Sequence, residues 1–426
     1  MASIGSSSSV LPADAPSPCA QMLVGIGSHN SAGTIAAVAR TVREGLDRHF
    51  GTGAGCIVLA DGASTDGTAE HARDALEGAG NFLAIEYRPP PSDPLKPPYH
   101  GLAGRPEAIR AILSAAVERE VVACAFVDAG LTTVAPDWMP GLLQPVLGGE
   151  FDYVSPYYLR HAYEGALTKS MVYPMFRALY GPRLRQPAAG EFGASLRLAR
   201  YLLDQPFWDG EDAQSGIDLW LATAAASGGF RLCEAVLGVR GHRSGPLLPD
   251  LSVTLGQVAG ALFMDVEARA GVWQRVRGTS AVPAFGAAPQ TTVSPPDMNV
   301  ERLVDAFRLG YRALRDVWAG VVPPKTILQC RRMTEAPAER FHFDDDLWVR
   351  IVYDFTVAHR VRSMPRDHLL QAMTPLYLGW LASFVLETHG AAPAAVDERL
   401  DQLCLVFEAR KPYLISRWRW PDQFRA

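Results

Sequence analysis

The sequence predicts an α/β domain built on a parallel sheet, followed by an all-helical region. Three observations predict it. Short continuous apolar runs alternate with helix-like segments through the first half. The runs end in turns rich in glycine and aspartate. Beyond about Asp250, long segments carry apolar residues at helical spacing. Continuous apolar strands alternating with helices imply a sheet covered on both faces.

The first 20 residues, rich in Ser, Ala and Pro, lack the basic start and apolar core of a signal peptide and read as a disordered tail. Residues 22–27 (MLVGIG) are the first strand, with a helix expected over residues 32–49. A second strand covers residues 56–60, its helix reaching about residue 78. Residues 82–87 are a third strand, 89–98 a proline-rich loop, 106–119 a helix and 121–127 (VVACAFV) a fourth strand. Residues 152–160 and 231–239 are strand-like, and 219–226 is an apolar helix. Residues 251–277 are helical in pattern, and 281–298 form a linker rich in Pro, Ala and Thr. Helices are expected over 300–318, 343–360, 365–389 and 395–407. The expected division is a domain over residues 21–250 and a helical domain over 251–426, whose many Trp, Leu, Phe and Tyr are read as core.

Composition excludes several classes. A formal charge of -5 leaves no basic footprint for nucleic acid. No uninterrupted apolar run approaches the ~20 residues that span a bilayer. The six cysteines lie far apart with no C-x-x-C pair, so neither a zinc site nor a disulfide framework is expected. A reducing cytoplasm fits that usage.

Residues 56–68 read CIVLADGASTDGT, a strand running into an acidic glycine turn. That places Asp61 and Gly62 at the carboxyl edge of an open α/β sheet, where ligands bind; an ordinary βα turn uses the same residue types. The segment resembles the D-D-G-S-x-D-x-[ST] stretch of nucleotide-sugar glycosyltransferases with the GT-A fold, whose acidic residues hold the nucleotide. Residues 121–138 deliver Asp128-Ala129-Gly130 and then Pro136-Asp137-Trp138, similar to the D-x-D and P-D-W segments of those enzymes. There the first Asp contacts the donor and the second binds a divalent metal that neutralises the leaving diphosphate. Here Gly130 replaces the second carboxylate, so the implied Mg²⁺ or Mn²⁺ lacks one ligand. Asp128 is also suited to capping a helix.

Downstream, Gln186-Pro187-Ala188-Ala189-Gly190-Glu191 looks like the loop beside the transferred sugar in glucosyl-3-phosphoglycerate and mannosylglycerate synthases. Ser215-Gly216-Ile217-Asp218 resembles their G-[IV]-[DE] segment, whose acid sits at the reacting sugar. Arg240-Gly241-His242-Arg243 resembles their late motif, whose histidine is a metal ligand. The resemblance therefore makes His242 and Asp128 the implied metal ligands, and Asp218 and Glu191 the implied catalytic carboxylates. Gly27, His29 and Asn30 stand at the base-binding loop, and Arg105 stands where relatives have a phosphate-contacting lysine. Arg160 and Thr168, with Gly165 between them, match an arrangement that grips the carboxylate of glycerate; Arg160 pairing with a surface acid is the competing reading. Phosphoglycerate-using relatives carry an arginine where this chain has Ala166. Residues 341–348 (FHFDDDLW) are similar to a stretch of the same enzymes, and their three Asp suit either a cation or a helix start.

The resemblance implies a retaining transferase moving mannose or glucose from GDP-mannose or UDP-glucose to glycerate or a similar acid, making a compatible solute. Two alternatives stay open: an inverting family 2-like transferase acting on a glycan or lipid-linked acceptor, with Asp218 or Glu191 as base, and a catalytically silent nucleotide-sugar-binding protein. The helical half is expected to close the acceptor side or to build a homo-oligomer.

Overall fold

The computed structural model describes residues 21–78, 81–91, 101–161, 163–209, 213–241, 251–286 and 298–421. The chain forms two compact units. The first comprises Met1–Leu159, Gln186–Leu248 and Val282–Thr291; the second comprises Arg160–Arg185, Pro249–Ala281 and Thr292–Ala426.

The first unit is built on strands β1 (Met22–Ser28), β2 (Gly55–Asp61), β3 (Phe82–Glu86), β4 (Ala123–Asp128), β5 (Tyr153–Tyr158), β6 (Phe192–Ser195), β7 (Leu232–Gly238) and β8 (Ala284–Phe285). Among the described residues they make one sheet in the order β3-β2-β1-β4-β6-β5-β7-β8. Its helices are α1 (Ile35–Phe50), α2 (Thr68–Ala75), α3 (Arg105–Glu118), α4 (Trp138–Leu147), α6 (Leu196–Leu203) and α7 (Ala213–Ser227). β1 and β4 are buried at every position, as their unbroken apolar runs require. Val24, Ile26, Ile57, Leu59, Ala125 and Val127 join Val38, Val42 and Leu142 in one core.

The sheet departs from the all-parallel expectation at β6. This four-residue strand runs antiparallel to both β4 and β5. It packs closely enough that a Cβ on Gly193 would stand 2.1 Å from the Leu142 carbonyl oxygen, a backbone atom of α4. Gly193→Ala is therefore expected to lower stability by about 1–3 kcal/mol, read as a reduced urea midpoint. An unchanged midpoint would mean that α4 yields at no cost.

The second unit is helical: α5 (Tyr173–Tyr180), α8 (Leu251–Ala268), α9 (Ala270–Trp273), α10 (Val300–Ala319), α11 (Pro324–Thr334), α12 (Asp345–Val361), α13 (Arg366–Thr388) and α14 (Pro393–Arg419). The expected tryptophan core is present. Trp273, Trp318, Trp348 and Trp380 are fully buried. Each indole N–H finds an acceptor, Trp273 donating to Val266 O, Trp318 to Ala372 O, Trp348 to Ser170 O and Trp380 to Asp345 Oδ1, as buried indoles require. α13 is long and apolar enough to cross a membrane by length and composition, yet 72% of its most apolar stretch is buried within the protein.

Two boundaries differ from the expected division at residue 250. Residues 160–185 pack with the second unit. The reason lies in α5, whose residues Pro174 to Tyr180 are all buried; a helix buried on every side needs surrounding helices, and its one charge, Arg177, pairs with Asp401 and Glu408 of α14. Conversely, the linker over residues 281–298 contains β8, which pairs with β7 in the first unit. α14 also runs twelve residues beyond the expected stop at Phe407, through Pro412. The three aspartates at residues 344–346 start a helix. Asp344 caps α12 by accepting from Leu347 N, Asp345 pairs with Arg399, and Asp346 pairs with Arg350 and Arg410. Five cysteines, Cys56, Cys124, Cys233, Cys330 and Cys404, are buried free thiols; Cys19 lies outside the described residues.

Candidate active site

Three parallel strands end level with one another in the first unit. Ser28 is in register with Asp61, and Gly27 with Asp128. The sheet order turns back between β1 and β4, and open α/β sheets bind ligands outside the carboxyl ends of their strands at such a point. Asp61 and Asp128 both stand there, as the sequence implied.

Around Asp61 the loops are tied into a rigid ledge. Ser28 Oγ and Ser64 Oγ donate to Asp61 Oδ1 at 2.7 Å each, and Ser64 N donates to Oδ2 at 2.8 Å. His29 Nδ1 lies 2.7 Å from the Gly62 carbonyl, so Nδ1 carries the proton. Its Nε2 then accepts from Asn30 Nδ2, while Asn30 Oδ1 accepts from Thr65 N. Asn30 sits at φ 48° and Ala63 at φ 51°, left-handed turn positions that asparagine adopts readily. Tyr87 Oη donates to Ala103 O at 2.8 Å and lies 3.3 Å from Ser28 O, joining this ledge to the start of α3.

At that start stands Arg105, whose side chain is only 4% exposed. Its Nη1 donates to Asp128 Oδ2 at 2.9 Å, its Nε to Asp218 Oδ1 at 3.0 Å, and its Nη2 to the Gly190 carbonyl. The guanidinium also lies 4.7 Å over the Phe126 ring. Residues from three separated motifs thus meet on one cation. Burial works against the Arg105 charge, but Asp218, Asp128 and Glu191 hold its pKa above the ordinary value. Burial pushes the Asp218 carboxyl up, and Arg105 offsets this only in part.

Glu191 lies beside this cluster in a second buried pair. Arg240 grips both its oxygens, Nε to Oε2 at 2.9 Å and Nη2 to Oε1 at 3.0 Å, and Tyr158 Oη donates to Oε2 at 2.7 Å. Burial disfavours the Arg240 charge, and Glu191 more than restores it. Gly190 at φ 107° lets the backbone pass between the two arginines. A Cβ there would stand 3.0 Å from Arg240 Nη2 and 3.5 Å from Arg105 Nη2. The same loop is pinned to β5, where Gln186 Nε2 donates to Tyr158 O and Ser155 Oγ donates to Gln186 O, both at 2.8 Å. Ala129 and Ala189 bury their side chains in the core, so only their backbone faces the edge. Ala129 N already donates to Gly27 O.

Arg240 and Tyr158 were not singled out from the sequence. Arg240 lies two residues before His242, in the same motif. Its signal was an arginine directly past the end of a strand at the carboxyl edge. His242 itself lies outside the described residues. The chain reaches it from Gly241, whose N donates to Thr133 Oγ1 in the loop after β4.

The implied divalent cation finds no complete donor set among the described residues. No three His, Cys, Asp or Glu side chains converge there. Asp128 presents Oδ2 to Arg105 and Oδ1 to Gly130 N, and Gly130 offers no carboxylate of its own. The described positive charge next to Asp128 is the Arg105 guanidinium.

The acceptor candidates belong to the second unit. Gly165, at φ 63°, lies against Arg160: a Cβ there would be 3.2 Å from Nη1. Thr168 opens a turn of π-helix over Thr168–Val172. Lys169, not anticipated from the sequence, donates from Nζ to His161 O at 2.8 Å. Burial, reinforced by Arg160, lowers its ammonium to about 8.

The chain is similar to GT-A glycosyltransferases of known structure. One is glucosyl-3-phosphoglycerate synthase from Mycobacterium tuberculosis, in complex with Mn²⁺, UDP-glucose and phosphoglyceric acid. Its identity is 23%, the match covers 59% of this chain and 80% of that one, and the TM-score is 0.40. Another is mannosyl-3-phosphoglycerate synthase from Rubrobacter xylanophilus, at 22% identity over 60% and 76% of the two chains, with a TM-score of 0.41. A mannosyltransferase from Pyrobaculum calidifontis, in complex with GDP-Man and Mn²⁺, matches 95% of this chain and 88% of its own at 13% identity, TM-score 0.41. No family model and no curated protein matches the chain. At these values, residue roles rest on this chain's own chemistry.

Proposed function

We propose that this chain is a retaining GT-A glycosyltransferase that moves a hexose from a nucleotide diphosphate sugar to a small hydroxy acid. The observation that carries this reading is the convergence of Asp128, Arg105, Gly190 and Asp218 at the sheet's switch point. In this proposal the ledge of His29, Asn30, Asp61 and Gly62 receives the nucleoside. Arg105 acts as a positioning residue: its donors are directed at two carboxylates and a carbonyl, and it sets the angle at which Asp128 and Asp218 face the donor. Asp218 stabilises the positive charge that develops on the sugar ring during transfer. Glu191 serves to orient Arg240, since both its oxygens are already engaged. That engagement weighs against Glu191 as the base of an inverting enzyme.

For the acceptor we propose glycerate, with Arg160 and Lys169 facing its carboxylate and Thr168 adding a hydroxyl donor. Ala166 stands where phosphoglycerate-using relatives have an arginine, which favours the unphosphorylated acid. Arg160→Ala is expected to raise the acceptor KM about 10–100-fold, the loss of one charge-assisted contact, with the donor KM nearly unchanged. Equal rises in both constants would remove Arg160 from the acceptor site.

The deciding experiment is a panel of GDP- and UDP-hexoses incubated with glycerate and phosphoglycerate, with and without Mn²⁺, products being read by mass and by anomeric NMR. A hexosyl-glycerate with the donor's anomeric configuration is expected. Nucleotide binding without any product would instead mark a sugar-nucleotide sensor, and absence of nucleotide binding would end the donor-site reading altogether.

A further inference from the structure

The second unit holds a cleft whose chemistry the reading above does not use. Its volume is about 570 Å³, inside the usual range for small-molecule sites. Lys411, Ser416, Arg419 and Trp420 from the end of α14 line one side, and Arg277 and Thr279 from the loop after α9 line the other. Three cationic residues and two hydroxyl-bearing ones therefore line one cleft.

The charge is only partly cancelled locally. The lining carboxylate, Glu408, shares Arg177 with Asp401 and also favours the Lys411 charge, so one carboxylate stands against three cations. Arg277 Nη1 bonds carbonyls of its own loop, Gln274 O at 2.9 Å and Val276 O at 3.3 Å. Arg419 is exposed at the end of α14. Lys411 is buried, and two of its three N–H donors go to Ala178 O at 2.9 Å and Val276 O at 3.0 Å. Burial, and then Arg277, lower the Lys411 ammonium to about 8, a strain that an anion in the cleft would relieve. The carbonyl end of α14 contributes only about half a negative charge, well short of the three cations. Trp420 is 64% exposed and offers a broad apolar face beside them.

We propose that this cleft binds a small phosphorylated molecule carrying a flat ring, with Arg277, Lys411 and Arg419 taking the phosphate and Trp420 the ring. Guanidinium forks match phosphate oxygens, and an exposed indole suits a ring at low entropic cost. The site is independent of the donor reading and stands or falls apart from it.

Phenyl phosphate, inorganic phosphate and phenol titrated calorimetrically into the full chain test it. Phenyl phosphate is expected to bind more tightly than inorganic phosphate, and phenol not at all. The double variant Arg277→Ala/Arg419→Ala, both exposed positions, is expected to weaken phenyl phosphate at least tenfold. Trp420→Ala should weaken phenyl phosphate while leaving inorganic phosphate unchanged. Hydrogen exchange should slow at residues 274–280 and 408–420 when phenyl phosphate binds. Undiminished binding in the double variant, phenol binding as well as phenyl phosphate, or protection confined to the carboxyl edge of the sheet would each overturn the proposal. A melting curve for the double variant matching that of the parent chain excludes misfolding as the cause of lost binding.

Discussion

Replacing Arg105 by leucine is expected to lower the unfolding free energy of the chain by about 3–5 kcal/mol at neutral pH. Removing one partner of a buried ion pair leaves the other charge uncompensated. Here the loss is compounded, because Asp128, Asp218 and the Gly190 carbonyl all lose the same donor group. The deficit should shrink on acidification. Asp218 has a folded pKa above the ordinary 3.8 even with Arg105 present, so its ionised form already costs stability. That cost is present above the folded pKa and is relieved as pH falls through it towards the unfolded value. Without Arg105 the folded value rises further, widening the window. Urea denaturation at pH 7 and pH 5 measures both effects. Parent-like stability at pH 7 would show that the two aspartates are satisfied by another cation.

Asp218→Asn is expected to reduce kcat about 10²–10⁴-fold while nucleotide affinity changes little. The amide keeps an oxygen for Arg105 Nε but loses the charge proposed to stabilise the transition state; charge placed at a reacting centre is commonly worth this much. On the proposed function the parent chain should lose activity as pH falls through the raised Asp218 pKa, because protonation removes that same charge. The variant's residual activity should be flat over that limb. A kcat within threefold of the parent's, or an acid limb that persists in the variant, would assign the chemistry to another group. Michaelis parameters from pH 4 to 8, with nucleotide titrations at each end, separate these outcomes.

The carboxyl edge was legible for a physical reason. A strand buried on both faces of a parallel sheet must be apolar throughout, so β1, β2 and β4 appear as unbroken runs whose ends locate Ser28, Asp61 and Asp128. β6 left no such trace. Four residues that include Gly193 carry no period, and their antiparallel direction depends on the neighbours they join. Residues 160–185 looked like a continuation of the first domain because chain order is the only guide before contacts exist. The residue types of the site were also visible, yet their partners were not. By resemblance Arg105 stands at a donor-phosphate position, and nothing around it in the chain announced that its donors meet acids 23 and 113 positions away. Arg240 was hidden beside a more suggestive histidine.

Local residue order, read by itself, set which segments became strands or helices and brought acidic turns to one sheet edge, because burial of an apolar face is a property each segment carries alone. Which charge neutralises which was decided only when the chain closed. Coulomb energy in a buried, weakly polarisable interior depends on separation in space, and nothing in the spacing of Arg105, Asp128, Glu191, Asp218 and Arg240 along the chain reports that separation.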